Sequence, residues 1–475
     1  MQGRETWDRP VLASLVIVLA LAALDQTIAS TALPTIADDL QGHRLLSWIF
    51  SVYLIASTAV IPLYGRLADR YGTRSTLLFA AGIFVMGSAA CGLSQQIEEL
   101  LLARCLQGLG GGGLMTLSML AARDAVPQRR LGQVQGMLGS AYGLAALLGP
   151  LLGGWLAQEY SWRWAFLLNV PIGLMALAAL FWMYRPLAKA AAIAVDSIGC
   201  GLLAVFLALL LVAARGFGMA HGASVLETVV APVLAVVAGL LFVWRELVVP
   251  RPLLPVHMFR QCVFLLNGIL SVCTGVALFS VVVFTPLYWQ YAMGMTAVQA
   301  GLHMLPLMAA ISLSSVMGGK WLASSGQLRA MAAVSALLMA GGYMGLALGV
   351  NAASVSGSLY ALSVLGAGIG LAIPLSMMTV QRLAQPRDQG IATALPIMFR
   401  TAGGALGVSF LGAVLTQQLE AVPGGTGSAE GVAAAFASAS GAIFWMSALP
   451  CALVSLSMLA MPRTLPAPQV LIANH

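Results

Sequence analysis

The chain is built from apolar runs of about 20 residues joined by short polar turns, and that spacing leaves few folds open. Each run can cross roughly 30 Å of hydrocarbon as a helix. The runs are continuously apolar instead of alternating, which excludes barrel strands, and a helix satisfies its own backbone inside lipid. Fourteen spans are expected, near 11–33, 47–66, 75–95, 99–121, 132–157, 164–184, 194–214, 226–248, 262–284, 297–319, 330–350, 355–378, 389–416 and 434–461. Only 8% of the 475 residues are charged, against roughly 25% in a soluble domain, so most of the surface faces lipid. The expected fold is an all-α integral membrane bundle. The first run is too long for a signal peptide, because it continues past Asp25 to Leu33, and it reads as the first span.

Basic residues set the expected topology. With the N-terminus inside, eighteen of the 23 Lys and Arg fall on the inner side, and three (Arg44, Arg163, Arg215) fall outside. The remaining two, Arg104 and Arg400, lie within spans. Both termini are therefore expected in the cytoplasm. The net charge of +7 is spread over these turns with no basic stripe among aromatics, so nucleic acid is not an expected partner. The six cysteines sit in or beside apolar runs without a CxxC pair and read as packing residues, with no metal expected. HExxH, GxSxG and P-loop patterns are absent and the loops are short, so the chain is not expected to be an enzyme. The 14 residues after Met461 are few for a signalling extension, which argues against a sensor.

An internal echo suggests two related halves. GRLADRYGTR at 65–74 follows the second run and GKWLASSGQLR at 319–329 follows the tenth. Both carry a glycine, another glycine seven residues on, then an arginine, with Ala323 in the second copy where the first has Asp69. Six helices would then make each half, with the spans near 194–214 and 226–248 inserted: 1–185, 186–257 and 258–475. Repeated halves around a central cavity are the usual plan of secondary transporters. The alternative is a chance match of one short loop.

Several polar positions carry the candidate mechanism. Asp25 is the one acid well inside a span. A carboxylate there costs roughly 2.5–3.5 kcal/mol on insertion scales and is a functional candidate by default. It reads either as a proton carrier or as a structural group paired permanently with an arginine. Arg104 in LLARCLQGLGGGG must face a cavity or a partner, and Gln107 lies near it on the same helix face. Gly110 to Gly113 would let a neighbouring backbone approach.

In the 65–74 loop, Gly65 and Gly72 would permit tight turns. Asp69 would accept from a helix N-terminus, and Arg70 and Arg74 would pair with Asp124, forming a conformational latch. The plainer reading is a solvated loop. Gly139, Gly143, Gly149, Pro150, Gly153 and Gly154 give the fifth span a smooth face and a bend, for gating or for packing alone. Gln26, Gln107, Asn169, His303 and Arg400 are candidates for a cargo cavity. His303 either titrates or is simply hydrogen-bonded structure.

These segments together resemble the major facilitator superfamily over nearly the whole chain. The 65–74 loop is similar to its motif A, 101–113 to its motif B, and 139–156 to motif C of its export branches. LDQTIASTALPTIADDL at 24–40, WRWAFLLNVPIG at 162–173, Asp196 with Gly199, PRPLL at 250–254 and the stretch 285–306 resemble the fourteen-helix drug:proton antiporters of EmrB/QacA type. The resemblance implies alternating access driven by proton influx. Asp25 matches the first-helix acid, Arg104 the motif B arginine and Asp69 the motif A acid. No further acid stands in a later span, which argues against strongly dicationic cargo.

The expected function is proton-coupled export of hydrophobic or amphipathic small molecules across a bacterial inner membrane. No cofactor is needed beyond the proton gradient, and the partners are cargo, protons and the lipid bilayer. No motif speaks for or against a periplasmic adaptor. The alternative is dedicated export of one endogenous metabolite, lipid or natural product.

Overall fold

A computed structural model of the chain describes residues 9–42, 45–125, 131–184, 196–218, 224–249, 254, 256–351, 354–384, 389–420 and 429–464, to which all counts refer. The elements are helical throughout, apart from one isolated bridge between Gln327 and Thr464. A first bundle holds α1 (Arg9–Asp39), α2 (Leu46–Tyr71), α3 (Thr73–Leu93), α4 (Ile97–Ala125), α5 (Leu131–Glu159), α6 (Arg163–Leu167) and α7 (Asn169–Met183). Then come α8 (Ser197–Gly218), α9 (Ala231–Val248) and the single turn α10 (Val256–Phe259). A second bundle holds α11 (Cys262–Leu287), α12 (Ala297–His303), α13 (Leu305–Ser325), α14 (Leu328–Asn351), α15 (Val355–Leu383), α16 (Gln389–Glu420) and α17 (Ala429–Ser457).

In the first bundle α3 and α2 pack on α4, α1 on α5, and both α1 and α3 on α7. In the second, α15 packs on α13 and α14, α16 on α11, and α17 on α14. The two meet through α2 with α16, α5 with α12, and α1 with α11. The α8–α9 pair lies to one side, with α8 against α2 and α16. Only 22% of the apolar window of α9 is buried, against 78% for α11. Val233, Leu240, Trp244 and Leu247 of α9 therefore present an apolar surface that only lipid can cover.

Among the described residues, twelve helices rather than fourteen are long and apolar enough to cross a membrane. The two expected spans outside that count are α5 and α8. The 29 residues of α5 include many whose side chains lie outside the described part, and the apolar stretch of α8, Ile198–Ala214, is 17 residues. The expected domain boundary at 185–186 and the PRPLL segment up to 253 also lie outside the described residues.

The two glycine–arginine loops each turn on a glycine of positive φ. Gly72 joins α2 to α3 with φ +87°, and Gly326 ends α13 with φ +64°, backbone conformations that favour glycine. Arg74 then donates to the carbonyl of Phe181 near the end of α7. Arg329 Nε donates to the carbonyl of Met461, just beyond α17, at 2.6 Å. In each bundle this arginine ties the start of the third long helix to the end of the last one.

That geometry corrects one expectation. Gly65 lies inside α2 rather than at a turn. Arg74 meets the last turn of α7, which offers unpaired carbonyls and the Phe181 ring 5.2 Å away. Arg70 sits over the ring of its neighbour Tyr71. The side chains of Asp69 and Asp124, the expected latch acids, lie outside the described part.

Candidate functional site

About halfway along α1, Asp25 is fully buried and faces helices of its own bundle. Its Oδ2 accepts from Arg104 Nη1 at 3.0 Å. Its Oδ1 accepts from Gln107 Nε2 at 2.7 Å and from Asn169 Nδ2 at 3.0 Å. Gln107 in turn takes a 2.6 Å bond from Arg104 Nη1 on its Oε1 and donates to Ser88 Oγ at 2.7 Å. Five side chains from α1, α3, α4 and α7 thus form one connected network.

Two local features of the fold put them there. Gly108 and Gly112 of α4 have no room for a Cβ against the backbone of Tyr53 and Ser57, and Gly110 none against Phe84, so α4 lies close to both α2 and α3. Asn169 follows an irregular turn at Leu168, where the backbone stays helical (φ −57°, ψ −32°), and its side chain is aimed at Asp25.

A buried ion pair survives only when its remaining lone pairs and N–H groups are satisfied. Here three N–H donors serve the carboxylate. Arg104 Nε donates to the Ile49 carbonyl at 3.2 Å, while the guanidinium lies 4.3 Å from the centre of the Tyr53 ring and 5.4 Å from that of Phe166. Arg104 Nη2 has no hydrogen-bond partner. Such a site can hold a negative charge on Asp25, and it must rearrange when that charge is neutralised. A protonated carboxyl becomes a donor at one oxygen, which cannot face the N–H groups now directed there.

A second feature lies at the bundle end reached by α1 and α5. Gly154 of α5 faces the backbone of Ala297 and Gly301 of α12 faces the Pro150 carbonyl, with no space for a Cβ at either. Thr31 Oγ1 donates to the Pro150 carbonyl at 3.2 Å, and the Thr31 carbonyl accepts from Gln290 Nε2 at 3.2 Å. Tyr291 donates to Asp38 Oδ1 at 3.3 Å. All but the Thr31–Pro150 bond join the two bundles at this end, beside a cavity of about 390 Å³ lined by Thr35, Asp38, Gln158, Gln290 and Tyr291 among others. The π-turn at Tyr288–Ala292, following Pro286, aims Gln290 and Tyr291 at α1. Beside it, Asp39 accepts from Trp162 Nε1 at 3.0 Å and Arg163 Nη1 at 2.8 Å.

The structure therefore brings Asp25, Arg104, Gln107 and Asn169 together and separates the other cavity candidates from them. Gln107 and Asn169 are buried within the first bundle and do not line an open cavity. His303 ends α12, with Nδ1 2.7 Å from the Gln299 carbonyl and its ring 5.2 Å from that of Trp289. Gln26 and Arg400 are half-buried on α1 and α16. Gly149 and Gly153 face Thr27 and Ile28 of α1, whereas Pro150 and Gly154 face α12, so the expected small-residue face serves two neighbours. The surroundings of Gly139 and Gly143 lie outside the described part. Ser88 and Phe166 were not legible as site residues, because nothing in their spacing separates them from the many serines and aromatics of apolar helices.

Comparison with known proteins agrees with this architecture. The Major Facilitator Superfamily description matches residues 15–408. The chain is 29% identical over 415 residues to the multidrug transporter protein MdtP of Bacillus subtilis, covering 87% of this chain and 76% of that one. It is 33% identical over 411 residues to the uncharacterized MFS-type transporter Rv1877 of Mycobacterium tuberculosis, covering 86% of this chain but 60% of that longer protein. Its fold is similar to that of a bacterial homologue of the human lysosomal transporter Spinster in an inward-facing, occupied conformation. That similarity has a TM-score of 0.70 at 12% identity and covers 96% and 97% of the two chains. With the family description spanning most of its length, the chain belongs to the Major Facilitator Superfamily and is a multi-pass membrane transporter, not an enzyme.

Proposed function

We propose that the protein is a proton-coupled antiporter that exports hydrophobic or amphipathic small molecules from a bacterial cytoplasm. Counting α5 and α8 with the twelve spans gives the fourteen-helix plan, two six-span halves with α8 and α9 inserted between them. The observation that carries the reading is the enclosed Asp25 with its three N–H donors from α4 and α7. The likeness to a multidrug transporter favours drug-like cargo.

The cycle follows from that site. Ionised Asp25 holds α1, α4 and α7 together. Protonation cancels the ion pair, displaces at least one donor and loosens those helices relative to one another, which shifts the balance between conformations. The seam of Gly154, Ala297, Pro150 and Gly301 lies on the outer side by the distribution of basic residues, so this conformation is closed there. A proton entering down 100 mV releases about 2.3 kcal/mol, enough at one-to-one exchange for roughly a fifty-fold gradient of neutral cargo.

The test is a growth-inhibition panel of amphipathic compounds on a drug-sensitised bacterial strain. The wild-type chain is expected to protect, and Asp25→Asn, present at the same level in the membrane, is not. Equal protection by the two proteins would remove Asp25 from the mechanism.

A further inference from the structure

When Asp25 takes up a proton, Arg104 is left in the bilayer interior without its anion. Nothing else charged faces it in the described structure. Around Asp25 the titratable groups are Arg104 of α4 and, at longer range, Cys91 of α3 and Tyr53 of α2, while α7 brings only the neutral Asn169. A guanidinium cannot escape by deprotonating. The protonated state is therefore reachable only if other groups already hold that charge.

Resting on the reading of Asp25 as the proton site, we propose that Tyr53 and Phe166 are positioning residues whose ring faces hold the Arg104 cation while Asp25 is neutral. The two rings approach the guanidinium at 4.3 and 5.4 Å, and all three side chains are fully buried. At such dry sites a ring face attracts a cation more strongly than it does in water. Both rings are held in place. Tyr53 lies against Gly111 of α4, where a side chain would strike its hydroxyl, and Phe166 packs edge-on against Trp162 at 6.0 Å. The five-residue α6 presents Phe166 to Arg104, and three residues later Asn169 reaches Asp25. One short segment thus serves both members of the ion pair.

The sign of the effect follows from the charges. With Asp25 ionised, the carboxylate neutralises Arg104 and the negative ring faces add little to the pair as a whole. With Asp25 neutral, the cation leans on the rings. Removing a ring therefore costs the protonated state more, and proton uptake at Asp25 requires a lower pH.

The test uses the purified full-length protein in lipid, followed by infrared difference spectroscopy of the protonated-carboxyl band as pH is varied. Asp25→Asn identifies the band by its loss. Tyr53→Leu and Phe166→Leu are each expected to weaken proton binding about threefold, lowering the midpoint by roughly half a pH unit. Tyr53→Phe and Phe166→Tyr, which keep the ring, are expected to titrate like the wild type even if one leucine variant fails to fold. Leucine variants that titrate with the wild-type midpoint, or a Tyr53→Phe midpoint lowered as far as that of Tyr53→Leu, would overturn the role of the rings and leave the proton site standing. A band absent from the wild type across the accessible pH range would overturn the proton site itself.

Discussion

Asp25 and Arg104 stand out in the sequence because a charge inside an apolar run is costly wherever it points. Their structural consequence is a pair whose members depend on each other. Arg104→Leu leaves a buried carboxylate without its cation, and a loss of about 3–5 kcal/mol is expected in unfolding of the detergent-solubilised protein. Combining it with Asp25→Asn removes the orphaned charge, so the double variant should be more stable than Arg104→Leu alone. Gln107→Leu deprives Asp25 and Ser88 of a donor and Arg104 of an acceptor, for an expected cost of about 1–3 kcal/mol by the same measurement. Asn169 was legible as a polar residue in an apolar run, though not as a partner of Asp25. Ser88 gave no signal, since a serine in a membrane helix ordinarily bonds its own backbone, as Ser271 does to the Asn267 carbonyl here.

The elements were legible in order more than in number or shape, since twelve described helices rather than fourteen are long and apolar enough to cross. Continuous apolarity marks 164–184 as one span, and Arg163–Met183 is long and apolar enough to be one, with an irregular turn at Leu168 between α6 and α7. It marks 297–319 as one span, and Ala297–Leu322 is long and apolar enough to be one, with an irregular turn at Met304 that puts His303 at the end of α12. Apolarity reports where lipid is and carries no signal for such a local turn inside a span.

The small residues of α5 and α12 act at this scale. Gly154→Val places a side chain against the Ala297 backbone and is expected to hold the seam apart. A cysteine at Gln290 should then react faster with a membrane-impermeant maleimide added from outside, and an unchanged rate would count against the seam as a gate.

The α8–α9 pair carries its own ion pair, Arg245 Nη2 to Asp196 Oδ1 at 3.0 Å. Burial pushes the Asp196 carboxyl up, but the Arg245 guanidinium and the Gly199 N–H together outweigh it and hold it below the usual carboxylate range. The contact therefore stabilises the fold above the unfolded value, about 3.9, and is lost as pH falls through the lower folded one. Asp196→Asn should reduce stability equally at pH 5 and pH 8, with the difference from wild type closing below about pH 4.

At the scale of the molecule, the repeat read from two short loops corresponds to two matching anchors, Arg74 at the end of α7 and Arg329 beyond α17. The bundles nonetheless differ inside. The first encloses the Asp25–Arg104 pair, while at the core of the second Cys273 lies 3.4 Å from Cys451 and Tyr343 bonds the Ala277 carbonyl, all of them buried. Under the proposed cycle the proton site belongs to the first half, and the second moves against it across the seam.

The direct measurement is lumenal pH in inside-out membrane vesicles energised to an acid interior, on addition of a compound that the growth panel identifies as cargo. The wild-type protein should let protons out as cargo enters, so that the lumen becomes less acid, and Asp25→Asn should bind the same cargo without moving the pH. A cargo-driven pH change of equal size in Asp25→Asn would contradict the account.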